Sequence, residues 1–249
     1  MDKFIKFSYK EYCEIIKHYA PIIKDFKEIN FYTKDFCIIR HDVEFSIERA
    51  VEIAKIDSEH GIKSSFFIQV LNNAYNPLSV VNTSLLRIIE DYGHFIGLHF
   101  YVSHLEEGNF KVLQQELESQ VSILQSCIKG KIDRFSYHRP PSWVLPIDTY
   151  KFSSLINVYS QPFFELIKKG SLPDKVKYMS DSNHMWQYGH PLEVKNYKCF
   201  HLLIHPDEWS EKGGNEVENF IGIIAEAKDQ FIENIDSEYK TFSAIRKLC

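Results

Sequence analysis

Two spacings of apolar residues alternate along the chain. Short β-rich runs predict buried strands, and stretches with apolar residues three and four positions apart predict amphipathic helices. The predicted strands cover 36–40, 64–70, 94–100, 134–137, 155–159, 176–179 and 198–205, and the predicted helices cover about 46–60, a stretch through 85–89, 110–128 and 217–231. Strands that alternate with helices pair in parallel through right-handed crossovers. About seven such units in this length favour a (β/α) barrel over an open sheet.

Composition narrows the class of protein. The 249 residues are 44% hydrophobic and 25% charged, which is typical of a globular domain and excludes a disordered or collagen-like chain. We find no repeat, linker or biased segment, so residues 1–249 are expected to form one domain. The formal net charge is −5, with no Lys/Arg stripe along the sequence, and nucleic-acid binding is therefore not expected. Aromatic residues are abundant at 14%, enough to line a pocket as well as a core.

The sequence also bears on location and redox state. The first residues lack the apolar segment of a signal peptide, and no apolar stretch approaches the about 18 residues that a membrane span needs. The five cysteines are odd in number and show no CxxC spacing, which argues against a disulfide framework or a thiolate zinc site. We therefore expect a cytoplasmic protein with reduced thiols and no membrane span.

Ionisable residues collect where the predicted strands end, which is where parallel α/β folds carry function. Asp42 and Glu44 leave the first strand on the same side, since they are two residues apart. They could divide metal binding and proton transfer, or simply be acids at a helix N-terminus. His99 and His104 follow the third strand and could converge on one ion, or be surface and capping histidines. His94, which precedes that strand, is better explained as a buried residue that holds backbone.

Later strand ends add further candidates. His205 ends the last long strand, where it could donate a proton to a leaving group. Arg139 could pair with Asp42 and keep it ionised as a base. Trp186 and Trp209, with Asp181, lie in polar loops, where exposed rings would suit stacking on a sugar or nucleotide, although a core or lid role is equally compatible with the sequence.

Five segments, in this order, resemble the motifs of the polysaccharide deacetylase (NodB-homology) family. They are Arg40-His41-Asp42-Val43-Glu44, Gly93-His94-Phe95-Ile96-Gly97-Leu98-His99 with His104 downstream, Tyr137-His138-Arg139-Pro140-Pro141, Ser180-Asp181-Ser182 with Trp186, and Leu202-Leu203-Ile204-His205. The resemblance covers roughly residues 36–210. Each segment is loose alone, but the ordered set is specific.

The resemblance implies a distorted (β/α)7 barrel and a metal-dependent hydrolase of an amide on an amino sugar. Carried over by position, Asp42 would be the base, oriented by Arg139, and His205 the acid. Glu44, His99 and His104 would hold a divalent metal ion, for which zinc fits the ligand types, as do cobalt, nickel, manganese and iron. The candidates for substrate contact are Pro140, Asp181, Trp186 and Trp209.

Two departures from the family pattern concern the metal set. The family usually has aspartate where this chain has Glu44, and it usually has three residues between the two histidines where this chain has four, 100–103. Both features suggest a divergent branch with its own substrate, in which His94 or another group could replace His104.

The leading hypothesis is therefore a cytoplasmic hydrolase of an N-acetyl, N-formyl or similar amide on an amino-sugar derivative. Its substrate would be nucleotide-linked or lipid-linked, and its pathway the assembly of a bacterial surface polysaccharide (O-antigen or capsule). The alternative is a catalytically inactive carbohydrate-binding protein on the same scaffold, because the two departures are what a decaying metal site would show. An unrelated metallohydrolase, such as a phosphoesterase, is less compatible with the sequence because the dispersed glycines offer no phosphate-binding loop.

Overall fold

Seven parallel strands form one sheet in the computed structural model, which describes residues 6–146, 155–165 and 175–239. Their order across the sheet is β5-β4-β3-β2-β1-β7-β6, and every neighbouring pair is parallel. The strands are β1 Phe36–Val43, β2 Ser65–Ile68, β3 Phe95–Tyr101, β4 Arg134–His138, β5 Ile156–Asn157, β6 Val176–Ser180 and β7 Cys199–Ile204. The predicted α/β fold with seven strand units is confirmed. The sheet curls into a half-barrel whose edges are β5 and β6.

In the described ranges, five α-helices accompany the sheet: α1 Tyr9–Tyr19, α2 Ile47–Glu59, α3 Val80–Asp91, α4 Phe110–Gln125 and α5 Glu216–Glu238. Each begins after a Ser or Asn whose side chain accepts a hydrogen bond from a backbone N–H of the first turn, which satisfies a donor that the helix leaves free. Helix α1 was not predicted, although its buried face, Tyr12, Ile15, Ile16 and Tyr19, has regular helical spacing. None of the helices in the described ranges is long and apolar enough to cross a membrane.

Strand β1 lies inside the sheet, and all eight of its residues are buried. Its side chains alternate between two environments, because successive residues of a strand point to opposite faces. Ile38 packs with the apolar residues inside the curl, whereas Cys37 and Ile39 belong to the larger core beneath the helices. The same alternation places Arg40 and Asp42 inside the curl and turns His41 toward helix α2.

His41 joins a buried polar network on the helix side of β1. Its Nε2 lies 3.0 Å from Asp57 Oδ2, and the other oxygen of Asp57 accepts a hydrogen bond from the Tyr12 hydroxyl. Burial acts to raise the pKa of Asp57, but the contacts with His41, Ser64 and His94 together outweigh it, so the carboxyl pKa is lowered. His94 Nε2 lies 2.8 Å from the carbonyl of Ala54, and its Nδ1 accepts from the Ser64 N–H. His94 is therefore the buried, backbone-holding histidine that the sequence predicts.

Gly97 on β3 gives a test of packing inside the curl. A Cβ at this position would lie 2.6 Å from the Phe67 ring and 2.8 Å from Cγ of Arg134. We expect Gly97→Ala to lower the free energy of unfolding by about 1–3 kcal/mol, because the buried neighbours must move. Urea unfolding followed by circular dichroism measures it. Lys228→Ala in helix α5 is the control, since that side chain is exposed and alanine favours helix there. Equal stability of the two variants would contradict this account.

Candidate metal and catalytic site

Side chains from the carboxyl ends of β1, β3 and β4 converge on one carboxylate. Glu44 follows β1, His99 lies on β3, and His138 is the last residue of β4. Glu44 Oε1 lies 3.1 Å from His99 Nε2 and 2.8 Å from His138 Nδ1, and the two ring nitrogens are 3.1 Å apart. One ligand atom from each residue lies within 4.8 Å of the others, and these three form the candidate metal cluster in the described part of the chain.

The donor set of this cluster fits a divalent transition metal. Two imidazole nitrogens and one carboxylate oxygen are the ligands of catalytic zinc sites, which keep further positions free for water and substrate. Ligand bonds of ordinary length around a tetrahedral ion place two nitrogens roughly 3.3 Å apart, close to the separation observed here. Burial acts to raise the pKa of Glu44, but hydrogen bonds from His138 and His99 lower it well below its usual range, so the ligand is anionic.

His104 does not reach this cluster. Its exposed imidazole stacks on the ring of Tyr101, with the centroids 5.5 Å apart, and Tyr101 in turn stacks on His138. The physical reason is that β3 ends at Tyr101, so His104 lies in the turn beyond the strand, whereas His138 is still held by β4. The prediction of His104 as a ligand is therefore corrected, and His138 takes that position. The glutamate at position 44 contacts both cluster histidines.

Asp42 is buried beside the cluster and is held from two strands. The Ser136 hydroxyl on β4 donates to Asp42 Oδ1 at 3.2 Å and lies 2.7 Å from His99 Nδ1. Asp42 Oδ2 lies 3.6 Å from the same ring nitrogen. Arg40 Nε lies 3.2 Å from Asp42 Oδ1, and both side chains are almost fully shielded from solvent. The carboxylate is thus placed next to the cluster but outside its set of ligand atoms.

The partner of Asp42 is Arg40. The sequence predicted Arg139 for this role, and that prediction is corrected. Arg40 lies two residues before Asp42 on the same strand, so both side chains face the inside of the curl. Its Nη2 donates to the Tyr159 hydroxyl at 2.9 Å, and the guanidinium lies over the Tyr159 ring. Burial disfavours the Arg40 charge, but Asp42, Tyr159 and Tyr178 together outweigh this and raise the pKa of the guanidinium. Arg139 is exposed, has a positive φ of 46°, and lines the cavity beside the cluster.

His205 faces the cluster from the end of β7. Its Nε2 lies 3.9 Å from Glu44 Oε1, and its Nδ1 lies 2.7 Å from Asp181 Oδ1. Burial alone would lower the pKa of His205, but the Asp181 carboxylate raises it to about 10, with smaller contributions from Glu44 and Asp42. The ring is therefore protonated at neutral pH, with Nδ1–H directed at Asp181 and Nε2–H directed toward Glu44.

Asp181 and Trp209 hold His205 rather than facing a ligand. Asp181 is fully buried and accepts hydrogen bonds from the backbone N–H of His205 and from the Trp209 indole N–H, the latter at 2.8 Å. Trp209 is also fully buried, so the prediction that its ring is exposed for stacking is wrong. Trp186 is half-buried, stacks on Phe7, and lines a neighbouring cavity with His184 rather than the one that contains the cluster.

A cavity of about 480 Å³ opens onto Asp42, Glu44, His99 and His205. Pro140 and Arg139 also line it. Seven aromatic residues form much of its remaining wall: Phe45, Tyr137, Tyr159, Phe164, Tyr178, Tyr188 and Phe220. The volume is that of a small-molecule site, and the aromatic wall with a few polar groups is typical of pockets that bind a ring.

Asp207 is a supporting residue that the sequence did not indicate. Its two carboxylate oxygens accept the backbone N–H groups of Glu44 and Ser46, at 2.9 and 2.6 Å. It therefore fixes the turn that carries Glu44 into the cluster. Burial raises the pKa of Asp207 to about 7. The sequence shows only that Asp207 lies two residues after His205. That position does not indicate that its side chain binds the backbone of Glu44 and Ser46.

No family model and no curated protein matches the chain. Among solved structures, a CE4 family pseudoenzyme from Bacillus anthracis is 13% identical with a TM-score of 0.47, covering 80% of this chain and 62% of its own. A family 4 carbohydrate esterase from Bacillus anthracis is 14% identical with a TM-score of 0.39, covering 88% and 86%. The chitin deacetylase from Colletotrichum lindemuthianum is 14% identical with a TM-score of 0.43, covering 78% and 84%.

The chain thus spans about three fifths of the pseudoenzyme structure. TM-scores below 0.5 at this identity do not assign a family or an activity to this chain.

The cluster geometry predicts which histidine binds metal. We expect His138→Ala to weaken zinc or cobalt binding by more than about 100-fold, since it removes a ligand, whereas second-sphere changes cost 10–100-fold. His104→Ala, an exposed histidine nearby, should leave affinity within about twofold. Competition titration against a chelating dye measures the affinity, and the visible spectrum of bound cobalt reports its coordination. Loss of metal in His104→Ala with retention in His138→Ala would reverse the assignment.

Proposed function

We propose that the chain is a metal-dependent hydrolase that cleaves an amide, such as N-acetyl or N-formyl, on an amino-sugar derivative. The observation that carries this proposal is the convergence of Glu44, His99 and His138 next to a buried carboxylate, Asp42, and a charged imidazole, His205. The five motif segments support the same chemistry, because they contribute all of these residues. Hydrolysis of an amide needs a base and an acid, and the cavity offers a candidate for each.

Glu44, His99 and His138 would hold a divalent ion, with zinc as the first candidate. Such an ion, when bound, acidifies water and polarises an amide carbonyl. Other residues of the chain position these three ligands. His99 is fixed by Ser136, and the backbone of Glu44 is fixed by Asp207, so the ligand atoms are held in place by neighbours rather than by the ion alone.

Asp42 is the proposed general base. Its buried carboxylate pairs with Arg40, and Ser136 donates to the same oxygen that Arg40 approaches, which leaves Oδ2 outside these two contacts. In the reaction, Oδ2 takes a proton from water as the water oxygen bonds to the amide carbon. Arg40 is a positioning residue here, since it contacts Asp42 and Tyr159 and acts through them.

His205 is the proposed general acid. Its Nε2–H gives a proton to the amide nitrogen as the carbon–nitrogen bond breaks, and the products are a carboxylic acid and the free amino sugar. Asp181 keeps the ring charged and fixes its orientation, because it accepts the Nδ1–H and the backbone N–H of the same residue. Asp42 accepts a proton and His205 donates one, so the two residues have complementary roles in the proposed reaction.

The aromatic wall of the cavity supports a sugar ring as the substrate. Tyr159, Tyr178 and Tyr188 line it with hydroxyl-bearing rings, which can stack on the apolar face of a sugar while donating to its hydroxyls. A nucleotide-linked or lipid-linked amino sugar used in surface-polysaccharide assembly is the finer proposal, and it derives from the motif resemblance alone.

The activity is tested by release of free amine from N-acetylated and N-formylated amino sugars, offered as monosaccharides, nucleotide sugars and short oligomers. The zinc-loaded protein should release amine, and Asp42→Asn should lower kcat by about 10²–10⁴-fold because the base is removed. The control is the metal content of the variant, which should remain that of the wild type. A metal-loaded protein that binds these sugars saturably without releasing amine would overturn the hydrolase in favour of the inactive carbohydrate-binding alternative.

The pH profile tests the pairing of His205 with Asp181. His205 must be protonated to act, so activity is present below its pKa and lost as pH rises through it. Removing the Asp181 charge lowers that pKa, and we expect Asp181→Asn to move the alkaline limb of kcat/KM down by about 1–3 pH units. Trp209→Phe removes a hydrogen bond to Asp181 but leaves its charge, so the alkaline limb should stay. An unchanged limb in Asp181→Asn would exclude His205 as the titrating acid.

A further inference from the structure

A second cavity lies at the opposite ends of the strands. It has a volume of about 1,110 Å³ and is formed by the segments that precede and begin β1, β6 and β7. Five lysines line it: Lys34, Lys175, Lys177, Lys195 and Lys198. No aspartate or glutamate is among its lining residues in the ranges that the structure describes. We call this the lysine pocket.

The lysine pocket is an unusual concentration of positive charge. The chain has a net charge of −5, yet five of its 29 Lys and Arg residues face this one cavity. Within the described ranges, none of the five forms an ion pair with a carboxylate. The Lys175 ammonium donates to the carbonyl of Phe31, and Lys177 lies 5.9 Å from the centre of the Tyr197 ring. The nearby Glu165 accepts the backbone N–H of Lys175 and does not line the cavity.

Unpaired ammonium groups gathered in a concave surface produce a positive potential that attracts anions. A cavity of this volume is larger than a single phosphate group needs, and five charges match a ligand with several anionic groups better than a ligand with one. Lysine binds phosphate as a flexible point charge, so it does not require the planar geometry that arginine selects.

Aromatic rings at the same cavity indicate a second component of the ligand. The side chains of Phe31 and Tyr32 are 58% and 90% exposed, which is costly for large apolar groups unless something covers them. They line the lysine pocket together with Tyr197. Aromatic rings beside a basic cavity can stack on a planar base while the lysines hold its phosphates.

We propose that the lysine pocket binds a nucleoside diphosphate or a closely similar phosphorylated ligand with a planar ring. This site is separate from the catalytic cavity, since Cys199 at the start of β7 lines one and His205 after its end lines the other. Six residues of extended strand span ~20 Å, so one small ligand does not reach both. The proposal therefore does not depend on the hydrolase activity. Within the described ranges these five lysines line one cavity and do not form an extended stripe, which favours a small ligand over an extended nucleic acid.

Calorimetric titration of the purified chain with uridine or adenosine diphosphate, pyrophosphate and the uncharged nucleoside tests this site. We expect the diphosphates to bind more tightly than pyrophosphate, the nucleoside not to bind measurably, and the affinity to fall as salt rises from about 0.01 to about 0.1 M. The double variant Lys34→Gln/Lys198→Gln should weaken diphosphate binding by about tenfold or more. Lys55→Gln/Lys131→Gln, which removes the same charge from exposed lysines elsewhere, should stay within about twofold.

Tyr32→Ala isolates the ring contribution, because its exposed side chain makes no core contact. It should weaken the nucleoside diphosphate by about fivefold or more and leave pyrophosphate unchanged. Equal affinity for pyrophosphate and diphosphate, with no effect of Tyr32→Ala, would reduce the site to a nonspecific anion patch and overturn the proposal. So would the absence of binding, binding that survives Lys34→Gln/Lys198→Gln, or tighter binding of a single-stranded oligonucleotide. His138→Ala should bind the diphosphate normally, which separates this site from failure of the proposed metal site.

Discussion

The buried pairing of Arg40 with Asp42 is the interaction on which the inside of the half-barrel depends. Both side chains are removed from water, and the cost of desolvating an unpaired charge in such a place is several kcal/mol. Arg40 can remain charged there because Asp42 and the hydroxyl and ring of Tyr159 compensate it. In the same arrangement Asp42 is fixed beside the metal cluster. A change in register of β1 by one residue would send both groups to the helix side of the sheet.

The other face of β1 is also held by polar contacts. His41 contacts Asp57 in helix α2, and Asp57 in turn accepts hydrogen bonds from Tyr12 in α1 and Ser64 before β2. These contacts have directions, so they define the position of the helices on the strand more strictly than apolar packing alone. The site at the end of β1 is thus supported by a strand that is specified from both of its faces, which is what a metal cluster and a proton-transfer pair require to keep ångström-level geometry.

The two ends of the sheet differ in charge. The carboxyl ends of the strands carry the carboxylates and imidazoles of the proposed catalytic site, and the amino ends of β1, β6 and β7 carry the lysines of the second pocket. The net charge of −5 does not reveal this separation, because it is a sum over all charged groups and carries no information on their positions. In the sequence these lysines are spread from position 34 to position 198 and show no stripe; they meet only because β6, β7 and β1 are adjacent in the sheet.

The sequence by itself determined the class of fold and half of the site. Periodicity of apolar residues is local, so it identified the seven strands, and the strand ends placed Asp42, Glu44, His99 and His205 on one edge. Tertiary structure decided most of their partners, since partners on other strands depend on strand order and on the curl of the sheet. His138 in place of His104 and the burial of Trp209 arise in this way, whereas Arg40 shares a face of β1 with Asp42 and follows from the alternation of strand side chains. Side-chain contacts between distant segments leave no periodic trace in a single sequence.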